Sequence, residues 1–219
     1  MSQIECVNNM DHKELQKLAK RHGFTLAKSG NLETLRDTAF KRMMKKHGVK
    51  YSDIPTRFYL EKMLPCFKEP VLFLGWAVYT AQYAKIIPMI SVDYNPVTKP
   101  DIVADVTNKN LLTKLADYRR EHGMRFRKFN TIVVNGVIGW GVNEDPAIDR
   151  CLKNCSDLLK ANGKLLIGWN TKKTEGSSRV IKPDEMSKIL KRNKFRNIEF
   201  LEDTPEDPEW QHKYYMCRK

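Results

Sequence analysis

The sequence predicts an α/β protein: a doubly wound, mostly parallel sheet with helices on both faces, preceded by a helical extension. Three observations predict it. From Pro70 onward, short apolar runs alternate with stretches of helical periodicity. Runs such as "VLFLGW" and "NTIVVNGVI" are apolar almost throughout, as strands covered on both faces must be. The first fifty residues carry two amphipathic helical patterns, each with a polar cap and a glycine stop.

Residues 1–50 form the first block. In "DHKELQKLAKRHGF", Leu15, Leu18 and Ala19 recur at helical spacing, Asp11 suits the N-cap and Gly23 suits a left-handed end. Asn31 caps a second helix, "LETLRDTAFKRMMKKHG", where Leu32, Leu35, Ala39 and Met43 share a stripe and Gly48 marks the stop. Residues 51–69 read as a linker with a short helix, "TRFYLEKML", between Pro55 and Pro65. The main domain covers 70–219.

Within it, "VLFLGW" is a strand that turns at Gly75, and "YTAQYAKII" begins a helix. "MISVDYN" is the second strand. Only "PVTKP" separates Asn95 from Asp101, and a crossover between parallel strands needs about a dozen residues. No helix fits there, so "DIVADV" pairs irregularly or runs as a loop-like strand. Then follow a helix in "LLTKLADYRREHG", a strand in "NTIVVNGVI", a helix in "AIDRCLKNCSDLLKANG" and a strand in "KLLIGWN". The helix "PDEMSKILKRNKF" and the strands "NIEFLED" and "HKYYMCRK" complete the chain. The polar stretch Asn170 to Asp184 leaves the carboxyl end of a strand, the edge where α/β sheets bind ligands.

At 219 residues the chain can bury a core without disulfides or metal. Its five cysteines (Cys6, Cys66, Cys151, Cys155, Cys217) are odd in number and scattered, which points to a reducing compartment, cytoplasmic or, in a eukaryote, nuclear. The start lacks a continuous apolar core and no run approaches a membrane span, so neither a secretory signal nor a membrane partner is expected. The net charge of +13 suggests an anionic partner, although a solvated lysine-rich surface would give the same number.

Carboxylates fall at strand ends. Asp93 closes the second strand about twenty residues past the Gly75 turn, where a carboxylate can accept from a ribose diol. Asp105, in "IVADVTN", ends the next extended piece. Cys151 and Cys155 lie one helical turn apart without a second ligand pair, and the histidines are dispersed, so no metal site is expected. His212 opens the last strand, within reach of the sheet rim but readable as an ordinary strand-end residue.

With "VLFLGWAVYT", "SVDYNP", "ADV", "FNTIVVNGVIGWGVN" and "LLKANGKLLIGWN" in order, residues 70–219 resemble a class I S-adenosylmethionine-dependent methyltransferase. The last stretch is the most specific, being similar to the hairpin that follows the fourth helix of that family. The resemblance implies a seven-stranded-type sheet with an antiparallel last strand, and S-adenosylmethionine as cofactor. It implies that Gly75 admits the methionine part, with Trp76, Ala77 and Tyr79 lining the turn and a helix N-terminus facing the cofactor carboxylate. It further implies that Asp93 binds ribose with Tyr94 against adenine, that Asp105 and Val106 meet the adenine amino group and ring, and that Asn135 and Gly136 lie beneath the sulfonium. The family's glycine triplet is reduced to Gly75, and Tyr79 can narrow or cover the pocket.

Methyl transfer from a sulfonium needs positioning more than acid or base, so no catalytic residue is obligatory. Asn135, Trp140, Asn143, Trp169 and Asn170 are candidates near a small-molecule or anionic acceptor, or shape their turns only. The first block, in "LQKLAKRHGFTLAKSGNLETLRDTAFKRM", resembles the SAP-type motif of chromatin-associated proteins at Leu15, Leu18, Gly23, Gly30, Leu35 and Arg42. That implies nucleic acid as a partner, with Lys28 on phosphates; the alternative is a lid on the main domain. The rival functions are a methyltransferase-like scaffold without turnover and a nicotinamide-dependent oxidoreductase, against which the single-glycine turn argues.

Overall fold

A computed structural model describes residues 7–173, 179–201 and 211–219. Of the sequence features above, Cys6, part of the polar stretch after Asn170 and the end of "NIEFLED" lie outside the described residues. The chain divides into two compact units, one of Met1–Phe67 with Thr80–Pro88, the other of Lys68–Tyr79 with Met89–Lys219.

The first unit is helical. Helix α1 (His12–His22) starts at Asp11, whose side chain accepts from the Glu14 N–H while Glu14 accepts from the Asp11 N–H, a reciprocal capping box. It ends at Gly23 in the left-handed conformation. Helix α2 (Leu32–Lys46) is capped by Asn31. Leu15, Leu18, Ala19, Leu35, Ala39 and Met43 are buried, so the two predicted stripes become the unit's core. The extended link between these helices is tied at its backbone, where Gln16 donates to the Ala27 carbonyl and Arg42 to that of Thr25. Helix α3 (Pro55–Met63) buries Glu61, which accepts from the Ser52 N–H at 2.9 Å and the Tyr83 hydroxyl at 3.2 Å. Burial pushes that carboxyl above its usual range.

The second unit is a seven-stranded sheet flanked by helices. Its strands are β1 (Val71–Leu74), β2 (Met89–Asp93), β3 (Ile102–Val103), β4 (Phe129–Asn135), β5 (Leu159–Asn170), β6 (Arg196–Phe200) and β7 (His212–Arg218). They lie in the order β3-β2-β1-β4-β5-β7-β6, and β7 alone runs antiparallel to its neighbours. Helices α4 (Asn110–Glu121), α5 (Asp145–Leu158) and α6 (Pro183–Arg192) follow β3, β4 and β5. All four residues of β1 are buried, as its unbroken apolar run requires. Leu74 pairs with Val92 on one side and Val134 on the other, which brings three carboxyl ends to one level. Leu74, Val134, Ile148, Leu152 and Ile167 belong to one core cluster; burying each aliphatic side chain stabilises by about 1.5–3 kcal/mol.

Three local expectations are corrected or resolved. The segment after Gly75 is a 3₁₀ helix, Val78–Lys85, not an α-helix. It opens on Val78, Tyr79 and Thr80, whose branched and aromatic side chains crowd the preceding turn of an α-helix. "LLKANGKLLIGWN" is not a hairpin but one strand, β5, carrying a bulge: β4 passes from Leu159 to Lys164 between Phe129 and Thr131. Asn162, at φ 61, absorbs the extra residues in a left-handed conformation that asparagine tolerates. The short link after β2 leaves β3 as a two-residue strand, paired Val92 to Ile102 and Asp93 to Val103. Asp101 closes the link by accepting from both the N–H and the hydroxyl of Ser91, at 2.8 and 2.6 Å.

Candidate functional site

From β1 the sheet is built outward through β2 and β3, and the chain then returns to add β4 on the other side of β1. Such a reversal opens a crevice at the carboxyl ends of the two central strands. Gly75 forms its foot. It has φ +86, and a Cβ there would lie 2.0 Å from the Asn135 carbonyl oxygen and 2.7 Å from Val137 Cγ2. The loops after β1 and β4 therefore meet backbone to backbone, and only glycine allows it. Trp76 is buried with its ring edge-on to Phe73, Ala77 is half-buried, and Tyr79 is exposed.

Asp93, half-buried, ends β2. Its Oδ1 accepts from the Asn95 N–H at 2.8 Å, and the Trp76 and Tyr94 N–H groups also stabilise its charge. Burial outweighs these bonds and holds the carboxyl above its ordinary range. The carboxylate thus braces the β1 loop and keeps lone pairs for a ligand. Tyr94 is 73% exposed, and its Cε1 stands 3.9 Å from the place a Gly141 Cβ would occupy. An unpacked aromatic ring therefore stands at the mouth, beside the loop after β4. Asp105 is exposed and accepts from both the N–H and the hydroxyl of Thr107, each at 2.8 Å. Val106 packs in the core, and its carbonyl accepts from Asn154 of α5.

Asn135 ends β4 and is buried, while Gly136 after it is exposed at φ +68. The Asn135 Oδ1 lies 2.9 Å from His212 Nε2, and His212 Nδ1 lies 2.5 Å from Asn170 Oδ1. These three side chains, all buried, join the ends of β4 and β5 to the start of β7. The following loop folds tightly, with the N–H groups of Trp140, Gly141 and Val142 all directed at the Val137 carbonyl. Arg179 fastens it, donating to the Asn143 carbonyl at 2.6 Å while pairing with Asp145 and Glu185. The Asn143 Oδ1 is sealed from solvent and finds no hydrogen-bond partner among the described residues.

Of the acceptor-side candidates, Trp169 is a core residue: its ring stacks on Tyr215 and its Nε1–H donates to the Ile181 carbonyl. Cys151 and Cys155 are fully buried in α5, and a hydrogen bond from one thiol to the other, with burial, pushes Cys155 well above the usual thiol range. Among the described residues no group of three or more potential ligands is placed to hold a metal. His212 is the residue that sequence reasoning left unassigned. The available signal was its place at the start of the last strand; its partners depend on β7 entering beside β5, a pairing that sets His212 opposite Asn170.

Seven large apolar side chains are exposed among the described residues, and six of them follow or end strands at this edge: Val78, Tyr79, Tyr94, Val97, Val103 and Val180. A rim of this kind, with one carboxylate inside it, suits a ligand with a flat apolar part and a hydroxyl-bearing part. Among the described residues no helix is long and apolar enough to cross a membrane.

No family model matches the chain, and none of the curated proteins matches it. Solved structures do. A SAM-dependent methyltransferase from Archaeoglobus fulgidus is 13% identical and superposes with a TM-score of 0.56 over 82% of this chain and 99% of its own. N-methyltransferase NodS from Bradyrhizobium japonicum WM9 is 14% identical, with a TM-score of 0.48 over 68% of this chain and 84% of its own. Human N-acetylserotonin methyltransferase, solved in complex with SAM, is 11% identical, with a TM-score of 0.47 over 80% and 61%. The archaeal enzyme shows that this chain has an α/β methyltransferase-like fold.

Proposed function

We propose that the chain binds S-adenosylmethionine at the carboxyl ends of β1, β2 and β4 and transfers its methyl group to an acceptor held by the loops after β4 and β5. The observation that carries this reading is the meeting of Gly75 and Asn135 at the foot of the crevice, with the Asp93 carboxylate on the neighbouring strand end. The residues present fit the cofactor. Gly75 leaves backbone bare for a close approach, Asp93 offers carboxylate oxygens to a ribose diol, and Tyr94 offers an exposed ring to adenine. Asp105, already accepting from Thr107, retains lone pairs for an adenine amino group.

When bound, the cofactor supplies a methyl group already activated by its positive sulfur, so the chain's residues need only orient and desolvate. Asn135 and Gly136 form the floor, while Arg179 holds the acceptor-side loop to the starts of α5 and α6. Titration calorimetry of the full chain with S-adenosylmethionine and S-adenosylhomocysteine tests the reading. Binding of either, weakened at least about tenfold by Asp93→Ala, is the expected result. Neither heat nor thermal shift at millimolar ligand would sink it.

A second reading, a methyltransferase-like binding protein without turnover, is favoured by the side chains of Ala77 and Tyr79 where the family has glycine, and by the 3₁₀ segment after them. Ligand binding without methyl transfer to any acceptor class would support it. For the basic first unit, with 14 Lys and Arg against seven Asp and Glu, we propose nucleic acid as the partner.

A further inference from the structure

Resting on the cofactor reading above, we propose that His212 is a positioning residue. Its Nε2–H holds the Asn135 carboxamide with the oxygen turned inward, so that the Asn135 amide nitrogen faces the crevice as a hydrogen-bond donor. The Asn135 Oδ1 lies 2.9 Å from His212 Nε2. Its Nδ2 makes no hydrogen bond to a described residue and is not among the atoms sealed from solvent. The pair lies against bare backbone: a Cβ on Gly168 would fall 2.4 Å from the Asn135 Oδ1 and 2.6 Å from His212 Nε2. Tyr214 closes another side of the ring, edge-on at 4.8 Å between centroids. Asn170, opposite in the β5–β7 register, sets its carboxamide against Nδ1 and fixes the imidazole plane; a neutral ring donates from one nitrogen only, so with the proton on Nε2 the Asn170 carboxamide must turn its N–H towards Nδ1.

The chemistry at the crevice floor depends on this bond. A ring protonated at Nε2 donates to the Asn135 oxygen and leaves two N–H groups outward. A ring bare at Nε2 would require a donor, so the carboxamide would turn over and present its oxygen instead. With Nε2 protonated, the atom opposite Asn135 must be a hydrogen-bond acceptor. That favours methyl acceptors with a lone pair to spare besides the attacking one, such as an oxyanion, over amines, whose single lone pair is the one that attacks.

Two measurements test this on the full chain. Long-range ¹H–¹⁵N correlation of the imidazole that shows through-space contacts to the Tyr214 ring reports which nitrogen is protonated. A protonated Nε2 is expected, and a bare one overturns the proposal. Calorimetry then compares S-adenosylhomocysteine with sinefungin, which carries a primary amine where the cofactor carries its S-methyl group. The unaltered chain should prefer S-adenosylhomocysteine, His212→Gln should keep that preference through its amide N–H, and His212→Leu should shift the ratio towards sinefungin by about tenfold. An unchanged ratio in His212→Leu, or equal weakening of both ligands, would mark a structural histidine only. Should His212→Leu not fold, the spectrum of the unaltered chain decides alone. Should the unaltered chain bind neither ligand, the cofactor reading falls while the spectrum still scores the hydrogen bond.

Discussion

Replacing Gly75 by alanine tests the foot of the crevice. Two costs add. At φ +86 an alanine sits in a region that L-residues occupy at a cost of about 1–2 kcal/mol. Its Cβ would also stand 2.0 Å from the Asn135 carbonyl oxygen, over an ångström inside ordinary contact, against two paired strand ends that cannot both stay in place. Overpacking of this kind costs about 1–3 kcal/mol more. The expected loss is therefore about 2–5 kcal/mol in urea unfolding of the full chain, accompanied by loss of S-adenosylmethionine binding in calorimetry. Gly136→Ala separates the two costs. Gly136 has φ +68, but a Cβ there meets nothing within 4 Å, so only about 1–2 kcal/mol should be lost. A Gly75→Ala variant no less stable than Gly136→Ala, with ligand binding intact, would refute the contact between the β1 and β4 loops.

Further outcomes follow from the charged groups. Asp93 must be ionised to accept from ribose hydroxyls, and burial raises its pKa, so S-adenosylhomocysteine affinity should fall with decreasing pH before an ordinary aspartate would protonate. Calorimetry across the acid range should show this fall for the parent and a flat profile for Asp93→Asn. His22, beside His47 at the ends of α1 and α2, is held down to about 4 by burial, then by His47 and Arg21. Its folded pKa lies below the ordinary 6.5, so its contribution to stability is complete above pH 6.5 and lost as pH falls towards 4. Unfolding midpoints of the parent should drop across that window, and those of His22→Gln should drop less. For the basic first unit, duplex DNA binding through two or three phosphates should weaken about tenfold to fortyfold from 50 to 200 mM salt. A salt-insensitive interaction, or none, would remove the nucleic-acid proposal.

Local signals foretold local structure well. The Asp11–Glu14 box, the Gly23 end and the Asn31 cap involve residues within a few positions of one another, and each forms as its chemistry dictates. Chain length also carried information, since eight residues between β2 and β3 left room for a clip by Asp101 but not for a helix. What local pattern cannot hold is register. The bulge in β5 looks in sequence like a turn, because Asn162 and Gly163 serve both. The bond between His212 and Asn135 joins residues 77 positions apart, and it exists only because β7 is inserted between β5 and β6. Gly75, Asp93 and Asn135 were therefore readable as strand ends one at a time, but the contact between His212 and Asn135 was not.

The reduced glycine count bears on function through where the missing glycines would stand. A glycine is indispensable where another backbone approaches, and in this crevice that condition holds at Gly75, against the Asn135 carbonyl. Ala77 is half-buried and Tyr79 is 41% exposed, so side chains at these positions are accommodated without the backbone collision that Gly75 avoids. One glycine is then enough to bring the two loops together, and the residues beyond it are free to shape the rim. With Val78 and Tyr94 also exposed there, the mouth gains apolar and aromatic surface that three glycines would not supply. The departure from the three-glycine pattern thus alters what the rim can bind more than whether the crevice forms.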